Sequence, residues 1–328
     1  MTDNKHGYKA YEPGLVCRGY QYEEGKTYKK NGHGVCVGGV THYCVNPFDV
    51  LDHYPLVRND GKFSEFTTVE AIDEPVTDDN QKFATSTIKI GVKLGFSGFI
   101  KACVDFACEK TIKSMPSNKV NKGNSAQIGS SGNSAQIGSS GDFAQIGSSG
   151  NSAKIGSSGN SAQIGSSGNS AKIGSSGYSA QIGSSGNYAQ IGSSGNSAQI
   201  GSSGYSAQIG SSGNFAQIGS SGYSAKIGSS GDSAKIGSSG DFAKIGSSGN
   251  SAQIDISGNT SVGAAIGINS IIKGAVGNWI TLAEWAYDSD KQRCAPVCVK
   301  SAQIDGEIIK ADTWYKLADG EFVEVADE

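Results

Sequence analysis

The sequence predicts a mainly β protein: a narrow, two-sided parallel β-solenoid with about two nonapeptides per coil, flanked by a small α+β N-terminal region and a β-rich C-terminal region. Three observations carry this. The unit Asn-Ser-Ala-Gln-Ile-Gly-Ser-Ser-Gly recurs over residues 124–258, with isoleucine at every ninth position from Ile128 to Ile254 and alanine two places before each. Two apolar residues separated by one polar residue mark a short strand with one buried face, and Gly-Ser-Ser-Gly supplies the corner. Finally, a single unit cannot fold alone. Burying its Ala and Ile returns roughly 2–4 kcal/mol, whereas ordering nine backbone residues costs about 9–18 kcal/mol. Only stacking in register closes that gap. Fifteen units, paired into coils, give about 7.5 layers and a rod of roughly 36 Å at ~4.8 Å per layer.

Residues 1–80 read as a small α+β domain. Asn46-Pro47 opens a short helix over 47–54, with Asn as the N-cap and Pro at the first helical position, and 63–72 reads as a strand. His33, Cys36, His42 and Cys44 cluster in sequence, but Cys-x7-Cys is not a common zinc-knuckle spacing and no Cys-x-x-Cys pair accompanies it. They read as small core residues and loop histidines, with no metal expected. Residues 81–123 give a strand, alternating over 88–94, and then an amphipathic helix over 97–113. Its stripe is Phe96, Phe99, Ile100, Cys103, Val104 and Ala107, with Lys101, Asp105 and Glu109 opposite. The helix is expected to cover the open N-terminal end of the solenoid, because an uncapped stack invites edge pairing.

Within the array the departures from consensus are informative. Gln becomes Lys at 154, 172, 226, 235 and 244; Asn becomes Tyr at 178, 205 and 223; Ser becomes Phe at 143, 215 and 242 and Tyr at 188. If alternate units share a face, Lys154, Lys172, Tyr188, Tyr205, Tyr223, Lys226 and Lys244 fall on one side, and Tyr178 and Lys235 on the other. Exposed tyrosines flanked by lysines have the character of a protein contact surface, so Tyr188, Tyr205, Tyr223, Lys226 and Lys244 are the candidate binding residues. A flexible Gly/Ser linker would not keep Ile and Ala in phase. The Gly-Gly-x-Gly-x-Asp motif of calcium β-rolls is absent, and the outward rows carry Ser, Gln and Lys where ice-binding faces carry threonine. The Ser and Gln rows are expected to face outward.

Residues 259–328 predict a β-rich cap, with strands over 279–285, 296–304, 313–317 and 321–325. Asp305-Gly306 and Asp319-Gly320 are hairpin signals. Ser301-Ala-Gln-Ile-Asp305 echoes the repeat, so this end is expected to continue solenoid-like pairing.

The net charge of −3 and pI near 5.9 give no cationic field for nucleic acid or an anionic membrane. No apolar run reaches ~20 residues, and the polar start has no hydrophobic signal core. Seven cysteines without a dense framework fit reduced thiols. A cytoplasmic location is expected. Phosphate loops, nucleophile elbows and paired Cys-x-x-Cys ligands are absent.

Cys17-Arg-Gly-Tyr20, the segment Gly38-Gly-Val-Thr-His-Tyr-Cys44, the helix ending in Tyr54 and the strand after it resemble the first half of an ADP-ribosyltransferase. That resemblance implies NAD as cofactor, with Arg18 on its phosphate or ribose and Tyr43 or Tyr54 stacked on nicotinamide. It places no catalytic Glu, Glu65, Glu70 and Glu284 being the candidates. The repeats and Ala265-Ile-Gly-Ile-Asn-Ser270 resemble the β-roll head repeats of trimeric autotransporter adhesins. The layout from Cys-Arg-Gly-Tyr to Trp-Tyr-Lys-Leu-Ala-Asp-Gly-Glu321 resembles uncharacterised proteins of phages and prophages. This last resemblance implies a phage protein made in a bacterial cytoplasm, and no reaction. The favoured expectation is a non-enzymatic rod that binds a host or phage protein, for example as an inhibitor of a bacterial defence system, or that enters the particle. Homo-oligomerisation is left open.

Overall fold

The computed structural model describes residues 4–32, 34–35, 38–58, 63–110 and 118–326. In the array, the fourth to seventh residues of every unit form a strand, as in Gln127–Ser130 and Gln136–Ser139. Each strand pairs in parallel, in register, with the strand eighteen residues on: Ile128 lies beside Ile146, and Ile137 beside Ile155. Alternate units therefore build opposite faces, and each face belongs to an eleven-stranded sheet. The molecule is a mainly β protein around a parallel solenoid of about nine turns.

The corner explains why this sequence repeats so strictly. The second residue of each unit adopts a left-handed conformation, φ +55° at Ser125 and +57° at Tyr188. That conformation costs a non-glycine residue roughly 1–2 kcal/mol. Its N–H is turned onto the next coil in return: Ser125 N–H donates to Asp142 O at 2.7 Å, and Tyr188 N–H to Tyr205 O at 2.8 Å. The first residue adds a side-chain rung. Asn151 Oδ1 accepts from Asn169 N–H at 3.0 Å, and Asp241 Oδ1 from Asn259 N–H at 2.8 Å. Asp serves there as well as Asn because only an acceptor is needed. The ninth residue must be glycine, since a Cβ on Gly159 would overlap the carbonyl of Gly141 one coil below.

Inside the rod, the Ile row is buried from Ile128 and the Ala row from Ala135 onward, as at Ile191 and Ala189. One serine row is inside too, contrary to the expectation from sequence. The strand runs two residues into Gly-Ser-Ser-Gly, so alternation turns the seventh position inward, and Ser139, Ser157 and Ser193 are buried. Serine is small enough to share the narrow interior with isoleucine.

Parallel stacking does not stop at Gly258. Val262–Ala265 and Ile271–Gly274 continue the two faces in register, and Trp279–Asp288 adds the last parallel strand. Antiparallel hairpins then finish both sheets: Trp279–Asp288 with Arg293–Gln303, and Trp314–Ala318 with Glu321–Val325. Two expectations are corrected here. Ser301–Gln303 pairs antiparallel and adds no further coil. Asp305-Gly306 sits in the crossing between the two hairpins, where Asp305 Oδ1 accepts from the N–H groups of Glu307, Ile308 and Ile309. Asp319-Gly320 is the two-residue hairpin turn that its sequence predicts, with φ +51° and +72°.

The N-terminal region forms a six-stranded antiparallel sheet in the order Thr27–Lys29, Thr87–Leu94, Glu65–Ala71, His6–Tyr11, Thr41–Cys44, Lys82–Thr85. The helix α1, Phe96–Lys110, packs against it, with Phe66 and Phe99 rings stacked 3.7 Å apart. α1 does not cover the end of the rod. It lies lengthwise along one face, against the strands that begin at Gln127, Gln145, Gln163 and Gln181. Its apolar stripe is long enough to span several coils, and a seat between rod and sheet buries Phe99, Ile100, Cys103, Val104 and Ala107 and half-buries Phe96.

Candidate protein-binding surfaces on the rod

The docked domain divides the rod into a covered face and an open face. On the covered face the outward glycines Gly147, Gly165, Gly183, Gly201 and Gly219 each have a guest. A Cβ built on Gly147 would stand 2.8 Å from Ala107, and one on Gly201 2.7 Å from the Phe96 ring. Phe63 and Val57 continue the line over Gly219. The neighbouring glutamine row hydrogen-bonds the domain: Gln145 Nε2 donates to Asp49 Oδ1 at 3.1 Å and Gln163 Nε2 to Asp52 Oδ1 at 2.9 Å. Gln199 Oε1 accepts from Leu56 N–H at 3.0 Å. The helix expected over 47–54 is only a 3-10 turn, Asp49–Asp52, with Phe48 and not Asn46 at its N-cap; Asn46 instead joins this seam, its Oδ1 accepting from Phe48 N–H and its Nδ2 donating to Gln145 Oε1. Burial at the seam raises the Asp49 pKa from 3.8 to about 6 and raises that of Asp52 as well.

The open face carries the same repeat with a different outward row. Lys154 lies beside Lys172, and Lys226 beside Lys244, all exposed. Their positions are shared with Gln136, Gln190 and Gln208. Lys235 falls on the covered-face sheet, in the strand Lys235–Ser238. Along the open side, Gly156, Gly174, Gly192, Gly210, Gly228 and Gly246 have nothing within 4 Å of where a Cβ would be.

One edge of the rod, leading into the open-face strands, collects the aromatics. Tyr188 and Tyr205 rings are 6.0 Å apart, Tyr205 and Tyr223 stack at 5.2 Å with their planes 9° apart, and Phe242 follows at 4.9 Å from Tyr223. All four are exposed. Phe242 was missed in the sequence, although it lies three eighteen-residue steps beyond Tyr188 and that phase identifies it. Tyr205 and Tyr223 occupy the first position of the unit, where Asn and Asp supply the acceptor of the corner rung. Each tyrosine receives no replacement for that function from its own ring, so the strip is built at the expense of the ladder. Tyr178 stands at the same position on the opposite edge, its hydroxyl 3.5 Å from Ser197 Oγ.

Of the residues singled out for NAD, Arg18 lies near Tyr54 and not near Tyr43. Tyr43 is buried, its ring stacked on Phe83 at 5.8 Å and its hydroxyl donating to Asn4 O. Arg18 is exposed in the turn after Val16–Cys17, at φ +51°. Tyr54 bonds the Cys17 thiol at 3.0 Å, and burial followed by that bond raises its pKa. Arg18 and Tyr54 thus share one edge of the domain while Tyr43 is sealed in its core. Glu65 accepts from Gly14 and Leu15 N–H and pairs with Lys93 at 2.8 Å; Glu70 faces Lys89 at 3.9 Å. Glu284 is far along the chain, holding the Asp319-Gly320 turn. Of the residues weighed for zinc, His33 and Cys36 lie outside the described residues. Cys44 is buried with its thiol pushed up to about 12, and His42 Nε2 donates to Val35 O at 2.5 Å.

Among the described residues no helix is long and apolar enough to cross a membrane. Residues 5–102, the sheet with the first half of α1, match a family described as a domain of unknown function (DUF7666). No curated protein and no solved structure matches the chain.

Proposed function

We propose that this chain is a non-enzymatic protein-binding rod, phage-encoded and acting on a host protein in the bacterial cytoplasm, with the edge Tyr188–Tyr205–Tyr223 as its anchor and Lys226 and Lys244 beside it. Inhibition of a host defence protein is the role this reading favours over a place in the particle. The observation that carries it is the replacement of corner acceptors by exposed, mutually stacked tyrosines. A lost side-chain-to-backbone bond costs about 1 kcal/mol, and exposed rings recover little of that in the free protein. Bound to a partner they bring large area with little rotamer entropy. The lysines add association rate toward an acidic surface.

The test is the consensus-restoring variant Tyr188→Ser/Tyr205→Asn/Tyr223→Asn. Regaining two rungs should raise the unfolding free energy by about 1 kcal/mol per rung, read from thermal melts. Cross-linking from bacterial lysate through Lys226 or Lys244, followed by mass spectrometry, should identify a partner with the native rod and lose it with the variant. Equal recovery by both would remove the edge as the anchor.

A further inference from the structure

The open face poses a separate question, because six of its strand glycines, Gly156 to Gly246, meet no need set by the described residues. None has a positive φ, and none has a neighbour that a Cβ would meet. Glycine inside a strand lowers stability relative to residues with a side chain. On the covered face the same position has a clear use, since it is the floor on which α1 rests.

That docked helix shows what the floor fits. Ala107 lies over Gly147, Val104, Cys103 and Ile100 over Gly165, and Phe96 over Gly201. Thus α1 advances about one turn per coil, which follows from a helical pitch of 5.4 Å against ~4.8 Å per layer. An apolar residue once per turn meets a glycine once per coil. The flanking glutamines meanwhile find carboxylates and a carbonyl at Asp49, Asp52 and Leu51.

On the open face four of those flanking positions have become Lys154, Lys172, Lys226 and Lys244, stacked in like-charged neighbouring pairs. Like charges directly opposite destabilise a sheet, and an anionic guest relieves them. We infer that the open face is a docking groove for an acidic amphipathic helix of a partner protein, one that lays an apolar residue over each glycine and a carboxylate beside each lysine. A second copy of this chain is the poorer occupant, because face-to-face stacking would set lysine row against lysine row. The groove from Gln136 to Lys244 covers seven strands, roughly 29 Å, which takes a helix of about 19 residues. This inference goes beyond the tyrosine edge: it stands on the glycine floor with Lys154 and Lys172, and shares only Lys226 and Lys244 with that reading.

The probe is a synthetic helical peptide of that length with Phe, Ile, Val and Ala repeating once per turn and Glu flanking them, followed by fluorescence anisotropy with the full chain. A sister peptide carries Lys in place of every Glu. The acidic peptide should bind at least about tenfold more tightly, a preference that salt reduces. Gly174→Val/Gly192→Val/Gly210→Val fills the floor at positions where a Cβ meets no atom of the described residues, so its melting temperature should hold or rise while binding falls by about tenfold or more. Lys154→Gln/Lys172→Gln/Lys226→Gln/Lys244→Gln, which uses the consensus residue and so preserves the fold, should erase the preference between peptides. Undiminished binding by the valine variant, indifference to peptide charge, or no binding at all overturns the proposal. So does a dimer in sedimentation that the valine variant dissociates, since the occupant would then be a second copy. The valine variant leaves Tyr188, Tyr205, Tyr223, Lys226 and Lys244 in place, so either reading can fail alone.

Discussion

A buried hydroxyl without a partner is a local cost, and the rod contains a row of them. Ser193 Oγ, like Ser157 and Ser175, is buried and finds no hydrogen bond among the described residues. The same row turns apolar near its C-terminal end, where Ala265 lies beside Ser247. Ser193→Ala should therefore stabilise the rod by about 1 kcal/mol in denaturant melts. Ile191→Asp, two residues earlier in the same strand and also inward, should cost several kcal/mol by burying a carboxylate beside isoleucines. Gln190→Glu, exposed and next to Lys172, should stay within about 0.5 kcal/mol. If the serine and isoleucine changes moved stability alike, the interior would be assigned wrongly. The Ile row was legible in the sequence because its period is fixed and its neighbours are polar. The serine row was not, because Gly-Ser-Ser-Gly reads as a turn, and only the hydrogen bonds of the stack show that the strand continues through half of it.

Among the elements, the seam between the Asp49–Asp52 turn and the rod holds a carboxyl whose titration burial moves toward neutrality. Asp49 has its pKa raised to about 6 by burial, with Asp52 adding repulsion and the Gln145 hydrogen bond opposing both. Between the ordinary carboxylate value of 3.8 and about 6, the folded chain holds a proton that the unfolded chain releases. Its contribution to stability is complete below that interval and is lost as pH rises through about 6. Asp49→Asn keeps an acceptor for Asn46 and Gln145 and removes the charge. Melting temperatures of the variant should flatten between pH 4 and 7 and exceed those of the native chain at pH 7. An unchanged pH profile would place the titration elsewhere. The apolar stripe of α1 could be read from its spacing, but its seat could not. Both faces of the rod carry the same nonapeptide, and the contacts that choose between them, such as Asn46 to Gln145, join residues far apart in sequence.

At the scale of the molecule, each coil contacts only its neighbours, so length is adjustable while sidedness is not. Lys226 and Val262 are exposed two coils apart on the open side. Removing residues 232–249, two units, makes them neighbours about 5 Å apart. Removing only 232–240 sends Val262 to the opposite side. A Lys226→Cys/Val262→Cys pair should therefore form a disulfide in the eighteen-residue deletion and not in the nine-residue one. A bridge in the shorter deletion would refute the alternation of faces.

Because alternate units share a face, tandem copies of a nine-codon segment behave differently when replication slips by odd and by even numbers. An even slip only lengthens or shortens the rod and keeps every surface row continuous. An odd slip turns all residues beyond the event to the reverse side, exchanging whichever substitutions have accumulated there in a single genetic step. The array is thus a coarse dial on which a lineage can re-register one surface against another without altering a single core residue.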